Sequence, residues 1–152
     1  MPCSVPELVQ SLGLQPHPEG GHYRRIYASA TSRDGRPVVT AIRFLLAPSE
    51  ASRWHRVDGD ECWHWQQGGI LELLTFDERD GVLRRDLLGP DAAGVEPTRV
   101  VPAGVWQAAR PLDGFVLVSC TVSPGFVWEG FRLMEGDDPL AGPLRDAGVW
   151  FG

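Results

Sequence analysis

The stretch Ser52-Arg-Trp-His-Arg-Val-Asp-Gly-Asp-Glu-Cys-Trp-His-Trp-Gln-Gln-Gly68 decides how the chain reads. Side chains on a strand alternate between faces. One short run ending at His55 and a second beginning at Glu61 can therefore aim both groups into a common interior, and Gly68 permits the turn into a third run. Within the second run Glu61, Trp63 and Trp65 fall on one face, and Cys62, His64 and Gln66 on the other. His64 then points away from Glu61, into the opposite face or an interface, unless a bulge turns it inward.

Outward from this stretch the pattern stays mostly β. The runs His22–Ala28, Val38–Leu46, Arg53–His55, Glu61–Gln66, Leu71–Phe76, Val82–Leu88, Arg99–Val101, Trp106–Arg110 and Phe115–Val122 are strand-like and separated by Gly, Pro and Asp. Asp34-Gly35 and Asp80-Gly81 have the form of hairpin turns. Ahead of the strands, Ser4-Val-Pro-Glu7 is a capping box, which predicts a short helix over about 5–13 ending at Gly13. One domain over 1–152 is expected, with the helix, a barrel over about 20–134 and a C-terminal tail at 135–152. Val38–Leu46 and Phe115–Val122 are apolar at both parities, so both faces need a cover and a homodimer is expected.

A net charge of −6 and scattered basic residues argue against gripping nucleic acid through its phosphates. All 14 basic residues are Arg, which removes Schiff-base lysine chemistry and leaves bidentate recognition of a small anion open. The apolar runs are far shorter than the ~20 residues that span a bilayer. Met1-Pro-Cys-Ser-Val-Pro-Glu7 does not read as a secretory leader, so a cytoplasmic location is expected. Cys3, Cys62 and Cys120 match neither a disulfide framework nor a paired-cysteine metal site and are expected to be reduced thiols.

The spacing of His55, Glu61 and Gly68 resembles the first sequence motif of the cupin superfamily, and Val101-Pro-Ala-Gly-Val-Trp-Gln107 resembles the second, with Pro102 and Gly104 in place. Together with Pro16-His-Pro-Glu-Gly-Gly-His-Tyr23 and Cys120-Thr-Val-Ser-Pro-Gly-Phe126, the chain is similar to the small cupin-5 branch from about residue 8 to residue 134. The resemblance implies an all-β double-stranded β-helix, a jelly-roll barrel. Relatives in the superfamily include sugar-nucleotide epimerases, sugar-phosphate isomerases, dioxygenases and binding proteins.

Metal-binding cupins take two His and a Glu from the first motif and a His from the second. Here either Val57 or Arg53 stands where one motif histidine belongs, depending on register, and Gln107 replaces the other. An amide is a weak transition-metal ligand. What the resemblance leaves for a divalent metal is His55, Glu61 and Gln107, with His64 as a fourth if it turns inward, and no cofactor is firmly expected.

Three functions stay open. In the first, favoured by the depleted metal set, His55 is the base of a metal-independent isomerase or epimerase acting on a small polar, sugar-like carbonyl compound, with Glu61 orienting it and Gln107 holding substrate. Tyr23 serves as acid and Arg25 as an anion contact if their face of the first strand points inward. The second is a metal-dependent, dioxygenase-type enzyme, and the third a non-catalytic cupin that binds a ring compound or sugar. Trp63 and Trp106, with Trp54 and Trp65, are candidates either for stacking on a ring or for core packing.

Overall fold

The computed structural model describes residues 4–152, and Cys3 lies outside them. Helix α1 (Val5–Ser11) begins at the expected capping box. The Glu7 N–H donates to the Ser4 hydroxyl at 3.3 Å, and the Ser4 N–H donates to the Glu7 carboxylate at 3.1 Å. The chain then turns through Gly13, whose φ of 65° is open to glycine.

Strands follow as β1 (Gln15–Pro16), β2 (His22–Ala28), β3 (Ser32–Arg33), β4 (Arg36–Pro37), β5 (Thr40–Leu46), β6 (Ser52–Val57), β7 (Asp60–Gly68) and β8 (Leu71–Asp77). After them come β9 (Val82–Leu88), β10 (Val95–Glu96), β11 (Thr98–Val101), β12 (Trp106–Pro111), β13 (Val116–Ser123) and β14 (Phe131–Leu133), then helix α2 (Ala141–Asp146). All nine expected runs are strands. The two-residue strands, β14 and α2 are additions, most of them too short to show a period. Asp34 and Gly35, at φ 55° and 75°, form the tight turn of the β3–β4 hairpin. Asp80-Gly81 instead ends the longer loop from β8 to β9, and there only Gly81 has positive φ.

Two six-stranded sheets, ordered β1-β2-β5-β13-β7-β11 and β10-β9-β8-β12-β6-β14, make the all-β jelly roll. Phe44, Leu46, Trp63, Leu73, Val101, Ala109 and Val118 from both sheets meet in the interior. β6 belongs to the second sheet and β7 to the first, so the chain changes sheet between Val57 and Asp60. The inward side chains of the two runs, His55 and Glu61, are therefore supplied from different sheets.

The outer faces are covered in part from within the chain. Leu8 and Leu14 with Val5, Val9 and Leu12 pack on Leu45 and Leu117, which accounts for part of the double-sided apolar pattern of β5 and β13. Leu144, Val149, Trp150 and Phe151 of the C-terminal segment cover Trp54, Leu74, Trp106 and Ala108 on the second sheet. The Trp54 indole N–H donates to the Val149 carbonyl at 2.7 Å. Leu144→Ala, at a site only 4% exposed, is expected to cost about 2–5 kcal/mol in urea unfolding. A loss below about 0.5 kcal/mol would show that the tail is not part of the cooperative core.

Candidate functional site

A cavity of about 400 Å³ opens between the inner faces of the sheets. Tyr23 and Arg25 reach it from β2, Ile42 from β5, His55 and Val57 from β6, Glu61 from β7 and Cys120 from β13. Phe126, Trp128 and Phe131 close one side, with Glu129 among them. The turn between β1 and β2 supplies His17 and Glu19.

That turn can lie against the barrel because of its glycines. Gly20 and Gly21 sit at φ 109° and 73°, and a Cβ on them would run into the carbonyls of Ala51 and Leu45. Main-chain bonds lock it, with the His17 N–H donating to Gly21 O at 3.0 Å and the Arg53 N–H to Glu19 O at 2.7 Å. The Arg53 guanidinium also donates to Pro18 O. Arg53 therefore anchors the turn from β6.

The Glu19 carboxylate lies 2.9 Å from His55 Nε2, and both residues are buried. His55 Nδ1 stands 2.7 Å from Arg53 O, an atom that can only accept. Both ring nitrogens thus point at acceptors, the arrangement of a doubly protonated imidazolium. Burial alone would lower the His55 pKa, but the Glu19 charge and hydrogen bond outweigh it and raise it to about 9. Burial likewise works to raise Glu19, and the His55 cation reverses this and holds it below the ordinary carboxylate value.

Glu61 has the opposite fate. Burial pushes its pKa up to about 7, with Glu19 adding to the rise and the His55 cation opposing it. Behind it, the Trp63 indole N–H donates to Gln107 Oε1 at 2.9 Å, which leaves the Gln107 amide nitrogen to donate to Glu61 Oε1 at 2.8 Å. The Cys120 thiol is buried, and burial with the nearby Glu61 charge raises its pKa well above the ordinary thiol value. It stays a thiol. Glu61 is the buried group whose proton is exchangeable near neutral pH.

Of the residues expected at the site, the structure brings His55, Glu61, Tyr23 and Arg25 to the cavity. Gln107 and Trp63 are fully buried one layer behind Glu61 and do not line it, so neither is placed to touch a ligand. Trp106 is on the far side of the second sheet, because it neighbours the inward Gln107 and strand alternation sends it out. There it donates to Glu78 at 2.6 Å, under the Arg56 guanidinium. Trp54 faces outward beside His55 for the same reason. Tyr27, of the same parity as Tyr23 in the sequence, leaves the inner face because β2 bulges between Arg25 and Tyr27. A register shift on β7 occurs beyond Trp65, too late to turn His64 inward, and His64 pairs across the sheet with Ser119 and Thr98.

The ring wall comes from Phe126, the last residue of the quoted Cys120–Phe126 segment, and from Trp128 and Phe131, which lie outside the quoted segments, with His17 packed edge-on to Tyr23 at 4.6 Å between ring centres. Glu19 and His17 stood in the quoted Pro16–Tyr23 segment, whose paired glycines were the available signal.

The residues do not fit the metal centre of the wider superfamily. Val57 lines the cavity beyond His55, Gln107 donates its amide to Glu61, and both His55 nitrogens are engaged. Among the described residues no group of three His, Cys, Asp or Glu side chains is arranged to hold a metal ion.

Breaking a buried ion pair from one side costs about 3–5 kcal/mol, so Glu19→Gln should lose stability of that order in urea unfolding at pH 7. The raised His55 pKa contributes stability below about 6.5 that disappears as pH rises through about 9. The wild type should therefore weaken between pH 7 and 10, and Glu19→Gln should show little of that dependence. Parallel curves would exclude the pair as its source.

Comparison with known proteins agrees with this architecture. The curated "Uncharacterized protein YML079W" of Saccharomyces cerevisiae is 27% identical, with 99% of this chain and 86% of that protein covered. Protein SO0799 from Shewanella oneidensis is 36% identical and superposes with a TM-score of 0.90, over 97% of this chain and 96% of that one. A hypothetical protein from Leishmania major is 30% identical with a TM-score of 0.86 over the same shares. Bacillus subtilis oxalate decarboxylase, in its R92A form, is 15% identical with a TM-score of 0.62, over 88% of this chain and 34% of that one, a likeness of fold alone. The family model described as Cupin superfamily (DUF985) matches residues 6–134, and the chain belongs to that cupin family.

Proposed function

We propose that this small-molecule-binding cupin is an isomerase or epimerase of a small polar, sugar-like carbonyl compound, working by acid–base chemistry without a metal. One observation carries the reading: the buried Glu61 carboxyl, poised near pH 7, faces the same cavity as the fixed Glu19–His55 ion pair. A base must be able to lose and regain its proton at working pH. Glu61 meets that requirement, whereas His55, expected from the sequence to be the base, is held protonated with both nitrogens engaged.

In this scheme ionised Glu61 removes the proton from the carbon next to the carbonyl. The C–H pair becomes the new C=C bond, and the carbonyl π pair moves onto oxygen. Return of the proton to the former carbonyl carbon, while the hydroxyl proton on the neighbouring carbon passes to the first oxygen and its O–H pair closes the new C=O bond, completes isomerisation. Return to the opposite face of the original carbon, with Tyr23 as donor and the oxygen pair re-forming the carbonyl, completes epimerisation. The His55 cation moderates the cost of the Glu61 charge, and Trp128 and Phe126 offer faces for a ring. Arg25, whose guanidinium donates to Phe126 O at 3.1 Å, sits where an anionic substituent would lie.

A panel of aldoses, ketoses and deoxy-ketosugars incubated with the protein in D2O tests this by NMR. Deuterium should enter at the carbon beside the carbonyl of at least one member, and Glu61→Gln should lose about 10²-fold or more of the rate. The rate should rise as Glu61 ionises near pH 7 and fall as His55 loses its proton near pH 9. Ring-compound binding with no exchange would replace this reading with a non-catalytic binding cupin. The homodimer belongs to the same proposal, supported by Tyr27 and Val100, which are 55% and 57% exposed on the outer side of the first sheet. Light scattering at micromolar concentration should give twice the chain mass, and the single-chain mass would remove it.

A further inference from the structure

We propose that His17 is a further catalytic residue, whose neutral ring donates its Nε2–H to the substrate carbonyl oxygen as Glu61 takes the proton from the adjacent carbon. The inference rests on the acid–base reading above, but its geometry is separate.

The Glu19 backbone N–H donates to His17 Nδ1 at 3.1 Å. A backbone N–H can only donate, so Nδ1 carries the lone pair and the proton of the neutral ring sits on Nε2. Nδ1 is thereby committed to the turn. Nε2 has no hydrogen-bond partner among the described residues, and it is not one of the polar atoms sealed in the interior without one. The ring itself lines the cavity with its side chain only 5% exposed, so an occupant of the cavity is the partner left for that N–H.

The ring is also held in place. Tyr23, Phe44, Trp128 and Phe131 surround it with centres at 4.6, 5.9, 5.8 and 6.0 Å. The charged groups facing it are Glu19, 4.0 Å from Nδ1, and the His55 cation. Burial, aided by His55 and opposed by Glu19, keeps its pKa below the ordinary histidine value. A neutral N–H fixed in orientation by its ring packing is suited to an oxygen that gains charge only in the transition state.

Long-range 1H–15N NMR of histidine-labelled protein at pH 7 should show His17 neutral with its proton on Nε2, and His55 doubly protonated. A proton on Nδ1 overturns the proposal. Erythronohydroxamate, a mimic of the enediolate, then serves as probe in calorimetry. His17→Asn can keep an acceptor for the Glu19 N–H but cannot reach the oxygen, and should bind about tenfold more weakly or worse. His17→Gln places an amide N–H near the old Nε2 position and should recover to within about threefold of wild type. Equal affinity of His17→Asn and wild type, or deuterium exchange by His17→Asn at the full rate, overturns the role of His17 and leaves Glu61 standing. A wild type that binds the hydroxamate through His17 but exchanges no deuterium overturns the acid–base reading, and with it the catalytic role, and leaves His17 as an oxygen-binding contact only. Neither binding nor exchange by the wild type removes both.

Discussion

Glu19 and His55 meet 2.9 Å apart with both side chains almost wholly buried. Two such charges are expensive to bury separately and tolerable together, so each holds the other in its ionised form. The pair also ties the β1–β2 turn to β6, reinforcing the backbone bond from Arg53 to Glu19. Without the paired glycines the turn could not approach closely enough for the carboxylate to arrive.

Once this pair is in place, the remaining carboxylate behaves differently. Glu61 is the same residue type as Glu19, equally buried and in the same cavity, yet its pKa moves upward while that of Glu19 moves down. The difference is what each carboxylate touches. Glu19 has the direct partnership of a cation, whereas Glu61 receives an amide N–H, a weaker support for a negative charge. Environments that push two like groups apart divide fixed charge from exchangeable proton.

Strand alternation sorts the motif residues between two chemistries. His55 and Gln107 turn inward, while their neighbours Trp54 and Trp106 turn outward into the layer closed by α2 and the last residues of the chain. The first sheet is covered in part by α1. The interior can therefore give space to a cavity because apolar burial continues on the outer faces of both sheets.

Strand positions, the capping box at Ser4, the hairpin at Asp34-Gly35 and the inward aim of His55 and Glu61 were all legible along the chain, because periodicity and turn chemistry act over a few residues. The bulge that displaces Tyr27 and the distance of Trp106 from the cavity depend on register with other strands or on which runs share a sheet. Glu19 lies 36 residues before His55 and Gln107 lies 46 after Glu61, so no local pattern says which carboxylate receives the cation and which the amide. A proton's affinity for its site is set by burial and by the charges that folding brings close. The chain order therefore reveals the groups available to this pocket, and only their packing assigns the ion pair to Glu19 and the exchangeable proton to Glu61.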